Sequence, residues 1–231
     1  MTARLIVEPP MAEREAAAWT TPEERAEAAA FAPARRREYL AWRAVVRRER
    51  GRGVRIGYDP AGAPQLLDGQ AHISVSHCPG RVAVLMAGRR CAVDIESAAR
   101  NFERAAPRYL TPDERALSTD PVWFAAAWCA KETLYKYAGQ PGLDLLRDLR
   151  LERVDWRPED REAGAGGRIV GRAGEPAEGR VGELSEVCLE ARSGECAEGC
   201  VEGRIVGRIA GDGPLELAAT IAGGFVVVTI A

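Results

Sequence analysis

Two residues in the stretch 128–136 could carry out proton and phosphate chemistry. Glu132 and Lys136 stand four residues apart, so in a helix they share a face and place a carboxylate beside an ammonium group. The apolar residues around them recur at helical spacing: Phe124, Ala127, Trp128, Leu134 and Tyr135. On spacing alone, an exposed ion pair that stabilises the helix by about a few tenths of a kcal/mol is the better interpretation.

The distribution of lysine in the chain also singles out this predicted helix. The chain has 32 lysines and arginines, and its only lysines are Lys131 and Lys136. Arginine is a planar cation that stays protonated, whereas lysine is a compact ammonium that can give up its proton. A chain that uses arginine elsewhere therefore indicates a specific need for an ammonium group in this helix.

A second acidic pair lies on a predicted strand over 91–96. Asp94 and Glu96 are two residues apart, so both side chains project from one face, while Val93 and Ile95 point into the core. Two adjacent carboxylates repel each other unless a cation lies between them. Mg²⁺ typically binds one or two carboxylates together with waters and substrate phosphates. The Asp-x-Glu pattern is also common on solvent-facing strands, so alone it is weak support for a metal site.

A predicted helix from about residue 34 to 50 is strongly basic. Arg36, Arg43 and Arg47 fall on one stripe of this helix. A positive stripe in a chain of net charge -2 suggests an anionic ligand, and a solvated helix face is an equally good interpretation. The same net charge argues against a general nucleic-acid binder.

Local signals predict the elements that position these residues. Thr21, followed by Pro22 and by Glu24 three residues after the cap, predicts a helix start, with Pro33 ending that helix. The other predicted helices begin at Thr111 and near Pro121, the latter ending at Gly139. The predicted strands are 4–7, 71–77, 81–86, 91–96 and, in a glycine-punctuated antiparallel sheet, 168–170, 186–189, 204–206, 215–217 and 225–230.

Whole-chain properties set further limits. The chain has 231 residues, 46% of them hydrophobic and 29% charged, as in an ordinary globular protein. It has no apolar run near the ~20 residues of a membrane span and no basic segment leading into an apolar run, so we expect a cytoplasmic protein. The six cysteines are expected to be reduced thiols. A zinc site at Cys188, Cys196 and Cys200 is disfavoured by their spacing and the lack of a nearby histidine.

Four stretches, in this order, resemble the 4′-phosphopantetheinyl transferase superfamily, in its large monomeric type. They are Ile-Ser-Val-Ser-His-Cys-Pro-Gly at 73–80, Ala-Val-Asp-Ile-Glu at 92–96, Tyr-Leu-Thr-Pro-Asp-Glu at 109–114 and Trp-Cys-Ala-Lys-Glu-Thr-Leu-Tyr-Lys at 128–136. Tyr-Leu-Ala-Trp-Arg at 39–43 and Ala-Pro-Gln-Leu at 63–66 are similar to two weaker motifs. The combination carries the resemblance. Ala92 departs from the usual glycine of the metal motif.

The resemblance implies a fold and an activity. The fold would be α+β, with two similar α/β lobes in a pseudo-two-fold arrangement, over 1–90 and 91–231, and with the ligand between them. The activity would be Mg²⁺-dependent transfer of the 4′-phosphopantetheine arm of coenzyme A to a serine of an apo acyl or peptidyl carrier protein. Adenosine 3′,5′-bisphosphate would be released. The protein would act as a monomer, without a nucleic-acid or membrane partner.

The resemblance also implies roles for individual residues. Asp94, Glu96 and Glu132 would hold Mg²⁺ against the pyrophosphate of coenzyme A, and Glu132 would also be the general base for the serine. Lys136 would contact the departing phosphate, with Lys131 assisting. The residues expected to bind coenzyme A are Ser76, His77, Arg43 and Arg47, the two arginines at its 3′-phosphate.

Three alternatives are disfavoured. A catalytically inactive relic that only binds carrier proteins would not need the acidic set of Asp94, Glu96 and Glu132 with Lys136, which argues against it. An unrelated Mg²⁺-dependent nucleotide enzyme of the P-loop type is disfavoured because the chain has no Gly-x-x-x-x-Gly-Lys-Ser/Thr motif. A hydrolase built on Ser76 and His77 is also disfavoured, since neighbours on a strand face opposite ways.

Overall fold

The computed structural model describes residues 2–155, 186–188 and 201–231. Its helices are α1 (Glu13–Ala16), α2 (Pro22–Ala28), α3 (Pro33–Arg50), α4 (Pro112–Arg115) and α5 (Trp123–Ala138), with a 3-10 helix at Glu103–Arg108. Its strands are β1 (Arg4–Glu8), β2 (Ile56–Tyr58), β3 (Pro64–Leu66), β4 (His72–Cys78), β5 (Arg81–Ala87), β6 (Ala92–Ser97), β7 (Leu149–Asp155), β8 (Glu186–Cys188), β9 (Val201–Ile209), β10 (Pro214–Ala222) and β11 (Phe225–Ile230). None of the helices in these described segments is long and apolar enough to cross a membrane.

The first sheet has the strand order β4-β5-β1-β8 and packs against α3. Strand β1 runs antiparallel to β5 and parallel to β8, which comes from much later in the chain. Helix α3 starts with Pro33 at its first position, where a missing N–H costs nothing. Its buried side chains join those of β4 and β5 in one core cluster: Tyr39, Leu40, Trp42, Val45, Val46, Ile73, Val82, Val84 and Met86.

Arginines of α3 attach α2 to this unit. Arg36 donates to the carbonyl oxygens of Ala28, Ala29 and Phe31 at and just after the end of α2. Arg47 forms a two-pronged ion pair with Glu24, at 2.7 and 2.8 Å. Glu24 also accepts from the backbone N–H of Thr21, completing a capping box at the start of α2.

The second sheet has the order β6-β11-β10-β9-β7, with every neighbouring pair antiparallel. Helix α5 packs on it, and their buried side chains form the largest core cluster: Trp123, Ala126, Ala127, Ala130, Leu134, Leu149, Ile205, Leu217, Val226 and Val228 among them. The helix ends at Gly139, whose φ of 61° is left-handed. A Cβ there would also meet the guanidinium of Arg90, but that group ends a flexible side chain and can shift, so the left-handed φ is what favours glycine.

The two sheets meet where β4 lies beside β6. The backbone N–H groups of Val93 and Ile95 on β6 donate to the hydroxyls of Ser74 and Ser76 on β4, at 3.0 and 3.3 Å. A third apolar cluster joins the sheets at this junction: Leu5, Val7, Ala83, Leu85, Val93, Ile95 and Val227 among others. Ser74 and Ser76 of β4 are therefore buried between the two sheets.

The sequence-based predictions for the elements were largely correct. Helices and sheets are both present, which is compatible with the predicted α+β class. Pro33 was wrongly taken as the end of α2: that helix ends at Ala28, and Pro33 begins α3. The late strands do form an antiparallel sheet, except for β8, which pairs in parallel with β1 of the first sheet. The predicted strand 168–170 lies outside the described residues.

The division into lobes at residue 90 and their pseudo-two-fold relation stay predictions. The two sheets draw their strands from either side of that boundary, apart from β8. Cys78, Cys91 and Cys129 are free and buried, as expected for reduced thiols. The side chains of Cys188, Cys196 and Cys200 are outside the described part of the chain, so the argument against zinc there also stays a prediction.

We expect Glu24→Ala to destabilise the fold strongly. The substitution leaves the guanidinium groups of Arg43 and Arg47, which are 2% and 3% exposed, without their carboxylate. Removing one partner of a buried ion pair costs about 3 kcal/mol. Urea unfolding should show this loss in the free energy of unfolding. Glu23→Ala, on the exposed side of the same turn, is the matched control and should change stability little; equal losses in both variants would contradict the assignment.

Candidate functional site

The centre of the site is an ion pair between β6 and α5. Lys136 Nζ lies 2.7 Å from Asp94 Oδ1 and also donates to the backbone oxygen of Val93 at 3.1 Å. Ser76 Oγ donates to the same Asp94 oxygen at 2.7 Å. The Asp94 side chain is 8% exposed and that of Lys136 is 29% exposed. One oxygen of a buried carboxylate thus accepts hydrogen bonds from both a hydroxyl and an ammonium group.

Strand and helix periodicity brings these groups together. On β6, Val93 and Ile95 are buried in the junction between the sheets, so Asp94 and Glu96 project from the other face. On α5, Glu132 and Lys136 lie one turn apart and therefore face the same way. The packing of α5 on β6 brings Lys136 of this helix face to Asp94 of β6.

The other two carboxylates lie within electrostatic reach of Asp94. Burial raises the pKa of Glu132, and the charge of Asp94 raises it further while Lys136 lowers it. Burial also raises the pKa of Glu96; Arg100 opposes this and Asp94 adds to it. Arg100 Nη1 donates to Glu96 Oε1 at 2.8 Å, from a side chain that is 60% exposed. The mutual effects on pKa indicate one shared acidic environment.

His77, at the end of β4, borders this environment. Its Nε2 lies 3.3 Å from Arg35 Nη1, and its Nδ1 lies 3.5 Å from Glu38 Oε2. Burial lowers the pKa of His77; Glu38 opposes the shift, and Arg35 and Lys136 add to it. The imidazole is therefore neutral at neutral pH. Arg35 and Glu38 were not selected from the sequence, because nothing in the run 35–38 shows which residue of α3 faces β4.

Arg43 and Arg47, which the resemblance assigned to a phosphate, contact groups of the protein. Arg47 is committed to Glu24 and to the backbone oxygens of Trp19 and Val54. Arg43 stacks on the rings of Tyr39 and Trp42, at 3.4 and 4.1 Å, and donates to the hydroxyl of Tyr58 at 2.7 Å. Both guanidinium groups contribute to the packing around α3, and a role for them at a phosphate stays a prediction.

Lys131 and Ser76 also have partners within the protein. Lys131 is fully buried, and its ammonium donates to Glu114 Oε1 at 2.6 Å and to the backbone oxygens of Leu145 and Leu149 at 2.8 and 2.6 Å. An ammonium has three donors, so none is left for a substrate. The hydroxyl of Ser76 is likewise used on Asp94. Ser76 positions Asp94, and Lys131 joins α5 to Glu114 and to the backbone before β7; their predicted direct roles stay predictions.

The side chains around Asp94 indicate whether a divalent cation could bind there. Within the described ranges, no group of three or more His, Cys, Asp and Glu side chains is arranged to hold a metal ion, and the three-carboxylate site at Asp94, Glu96 and Glu132 stays a prediction. The donors are nevertheless carboxylate oxygens, the ligand type that Mg²⁺ prefers, and one or two of them suffice. At Asp94 the neighbouring positive charge is the ammonium of Lys136.

Comparison with known proteins gives one family. Residues 90–176 match the family model described as the 4′-phosphopantetheinyl transferase superfamily, a range that includes β6, α5 and β7. Among curated proteins, a search finds no match to the chain. The resemblance stated from the sequence is thus confirmed at the level of the superfamily, and the large monomeric type stays a prediction.

We expect His77 to titrate below the ordinary histidine pKa of 6.5. The proton then binds His77 more tightly in the unfolded chain than in the folded protein. The contribution of His77 to stability is therefore fully present above pH 6.5 and is lost as the pH falls through the pKa of His77 in the folded protein. Glu38→Gln should lower the pKa of His77 further, because it removes a nearby negative charge. The chain has two histidines, so a His72→Gln variant assigns the two imidazole signals in an NMR titration. A rise in the pKa of His77 on Glu38→Gln would contradict the geometry.

Proposed function

Because residues 90–176 belong to the 4′-phosphopantetheinyl transferase superfamily, we propose that the protein transfers the phosphopantetheine arm of coenzyme A to a serine of an apo carrier protein. The serine oxygen forms a bond to the phosphorus that carries the pantetheine arm. The bond from that phosphorus to the oxygen of the adenosine 5′-phosphate breaks, and adenosine 3′,5′-bisphosphate leaves. The serine proton goes to a base of the protein.

The observation that carries this proposal is the contact between Asp94 and Lys136. These residues belong to two separate motifs of the superfamily, 92–96 and 128–136, and the packing of α5 on β6 brings them to 2.7 Å. An inactive relic would have no reason to keep a buried carboxylate paired with one of only two lysines in the chain, since such pairs are often no more stabilising than apolar packing.

Glu132 is the proposed general base. Burial and the charge of Asp94 raise its pKa, which brings it nearer to neutral pH, where a carboxylate accepts a proton from a hydroxyl more effectively. It shares a helix face with Lys136, so the base and the ammonium that meets the phosphate approach the reacting group from the same side.

Positive charge for the phosphates comes from Lys136 and, in our proposal, from Arg35 in place of Arg43 and Arg47. Arg35 is exposed and lies beside His77, whereas the other two are buried with Glu24. A guanidinium matches a phosphate with two parallel hydrogen bonds. His77, neutral at physiological pH, can donate one further hydrogen bond from a ring nitrogen.

Asp94, Glu96 and Glu132 are the residues that would hold Mg²⁺. When bound, a divalent cation neutralises charge on the pyrophosphate and on the leaving group. The packing of α5 on the sheet that contains β6 positions these carboxylates, and the hydrogen bond from Ser76 orients Asp94. The partners that follow from this proposal are coenzyme A and an acyl or peptidyl carrier protein. The large monomeric type of the superfamily is part of the same proposal.

The direct test is incubation with coenzyme A, Mg²⁺ and several apo carrier proteins. Intact-mass measurement should show the added phosphopantetheine arm on at least one carrier. Glu132→Gln should lower the transfer rate by a factor of about 10² or more, as expected for loss of a general base, while calorimetry shows coenzyme A still bound. No mass gain on any carrier would favour the inactive carrier-binding protein, and a wild-type rate in Glu132→Gln would contradict its role.

A second test separates the arginines. Arg35→Gln should weaken the binding of adenosine 3′,5′-bisphosphate about tenfold, the effect of one charge-assisted contact of about 1.5 kcal/mol. Arg37→Gln, exposed two residues further along α3, is the matched control and should bind as the wild type does. Calorimetric titration measures both. Equal affinities for the two variants would remove Arg35 from the site.

A further inference from the structure

Lys136 supplies positive charge to Asp94. Its ammonium lies 2.7 Å from Asp94 Oδ1, and the carbonyl oxygen of Val93 fixes it there. We propose that Lys136 and a divalent cation exclude each other at Asp94, so that the ammonium must leave this carboxylate before a metal ion can bind it. The proposal rests on the proposed function, because that function places a metal ion at Asp94.

Coulomb repulsion opposes the presence of both cations at this carboxylate. A Mg²⁺ ion on a carboxylate oxygen lies 2.0–2.1 Å from it, and the ammonium is on one of the two oxygens of the same carboxylate. A single and a double positive charge a few ångströms apart repel strongly in a partly buried site. Asp94 is 8% exposed, so solvent screens this repulsion little.

Lys136 is suited to such a displacement. Its side chain is 29% exposed, so the ammonium can move outward into the ligand side of the site without unfolding α5. A lysine carries a point charge on a flexible four-carbon stem, whereas an arginine presents a rigid planar fork. This difference gives a physical reason for lysine at 136 in a chain whose positive charge is otherwise arginine, apart from the fully buried Lys131.

The pair between Arg100 and Glu96 does not provide the same barrier. Arg100 is 60% exposed, and an exposed ion pair of this kind is worth little and is readily screened by salt. Arg100 can therefore leave Glu96 at small cost. The exclusion should depend on Lys136 and hardly at all on Arg100.

The exclusion couples the two ligands of the site. A phosphate group of the cofactor offers Lys136 another partner, which frees Asp94 for the metal ion. By reciprocity, a metal ion at Asp94 releases Lys136 for the phosphate, so each ligand raises the affinity for the other. Metal binding should consequently be weak when the cofactor is absent.

The first experiment measures Mn²⁺ binding by electron paramagnetic resonance, in the absence of coenzyme A and carrier protein. Lys136→Met keeps the length of the apolar stem and removes the charge, so it should bind Mn²⁺ about tenfold more tightly than the wild type, a typical size for a coupling between two sites. Arg35→Met is the matched control: it removes a positive charge beside His77 that does not contact Asp94, and should tighten binding much less. Equal gains in both variants would mean a general field effect and would overturn the exclusion, as would no gain in Lys136→Met or no Mn²⁺ binding by any of the three proteins.

The second measurement uses the wild-type protein and does not depend on the folding of a variant. With ¹³C at lysine Cε, the chain gives two lysine signals, from Lys131 and Lys136. Saturation with Mg²⁺ should shift the signal of Lys136 and leave that of buried Lys131 in place. An unmoved Lys136 signal would overturn the proposal. Neither measurement involves transfer of the phosphopantetheine arm. An absence of transferase activity would therefore count against the proposed function, while these two measurements would still test the exclusion.

Discussion

The burial of the Asp94 carboxylate at the junction of the two sheets is the constraint on which the site depends. A charge that is nearly removed from solvent needs partners with good geometry, and it has two: the hydroxyl of Ser76 from β4 and the ammonium of Lys136 from α5. The first partner ties the carboxylate to the first sheet, and the second ties it to the helix on the second sheet. The candidate site is therefore located where the two halves of the core are joined, and its geometry depends on both.

Arginine has a structural role in this protein that its abundance in the sequence does not reveal. Arg36 and Arg47 fasten α2 to α3, and Arg48 pairs with Glu8 of β1 through two hydrogen bonds. Because the guanidinium is planar, weakly hydrated and rich in donors, it can satisfy backbone oxygens and carboxylates in a core where a lysine could not. Helix α3 is basic mainly because it uses charge for internal packing.

The sequence predicts well what depends on neighbours along the chain. Thr21 and Thr111 each cap a helix through the expected box, Gly139 ends α5, and the alternation in β6 places Asp94 and Glu96 on one face. It fails where a distant residue decides the outcome. The stripe of Arg43 and Arg47 looks like an anion site until Glu24 is known to fold back onto it. Lys131 looks reactive until Glu114 and two carbonyl oxygens are seen to surround it. Periodicity gives the face of an element, and the identity of what covers that face is a tertiary property.

Strand β8 has a consequence for how the chain matures. It pairs in parallel with β1, so a segment near residue 186 lies along the outer edge of a sheet whose other strands all come from the first 87 residues. During synthesis the early strands emerge long before this segment does, and until it arrives β1 has an open row of backbone donors and acceptors. Joining residues so far apart is entropically slow. A nascent chain of this protein would thus pass through an interval in which the β1 edge is free to pair with another molecule, and truncation before residue 186 would make that interval permanent.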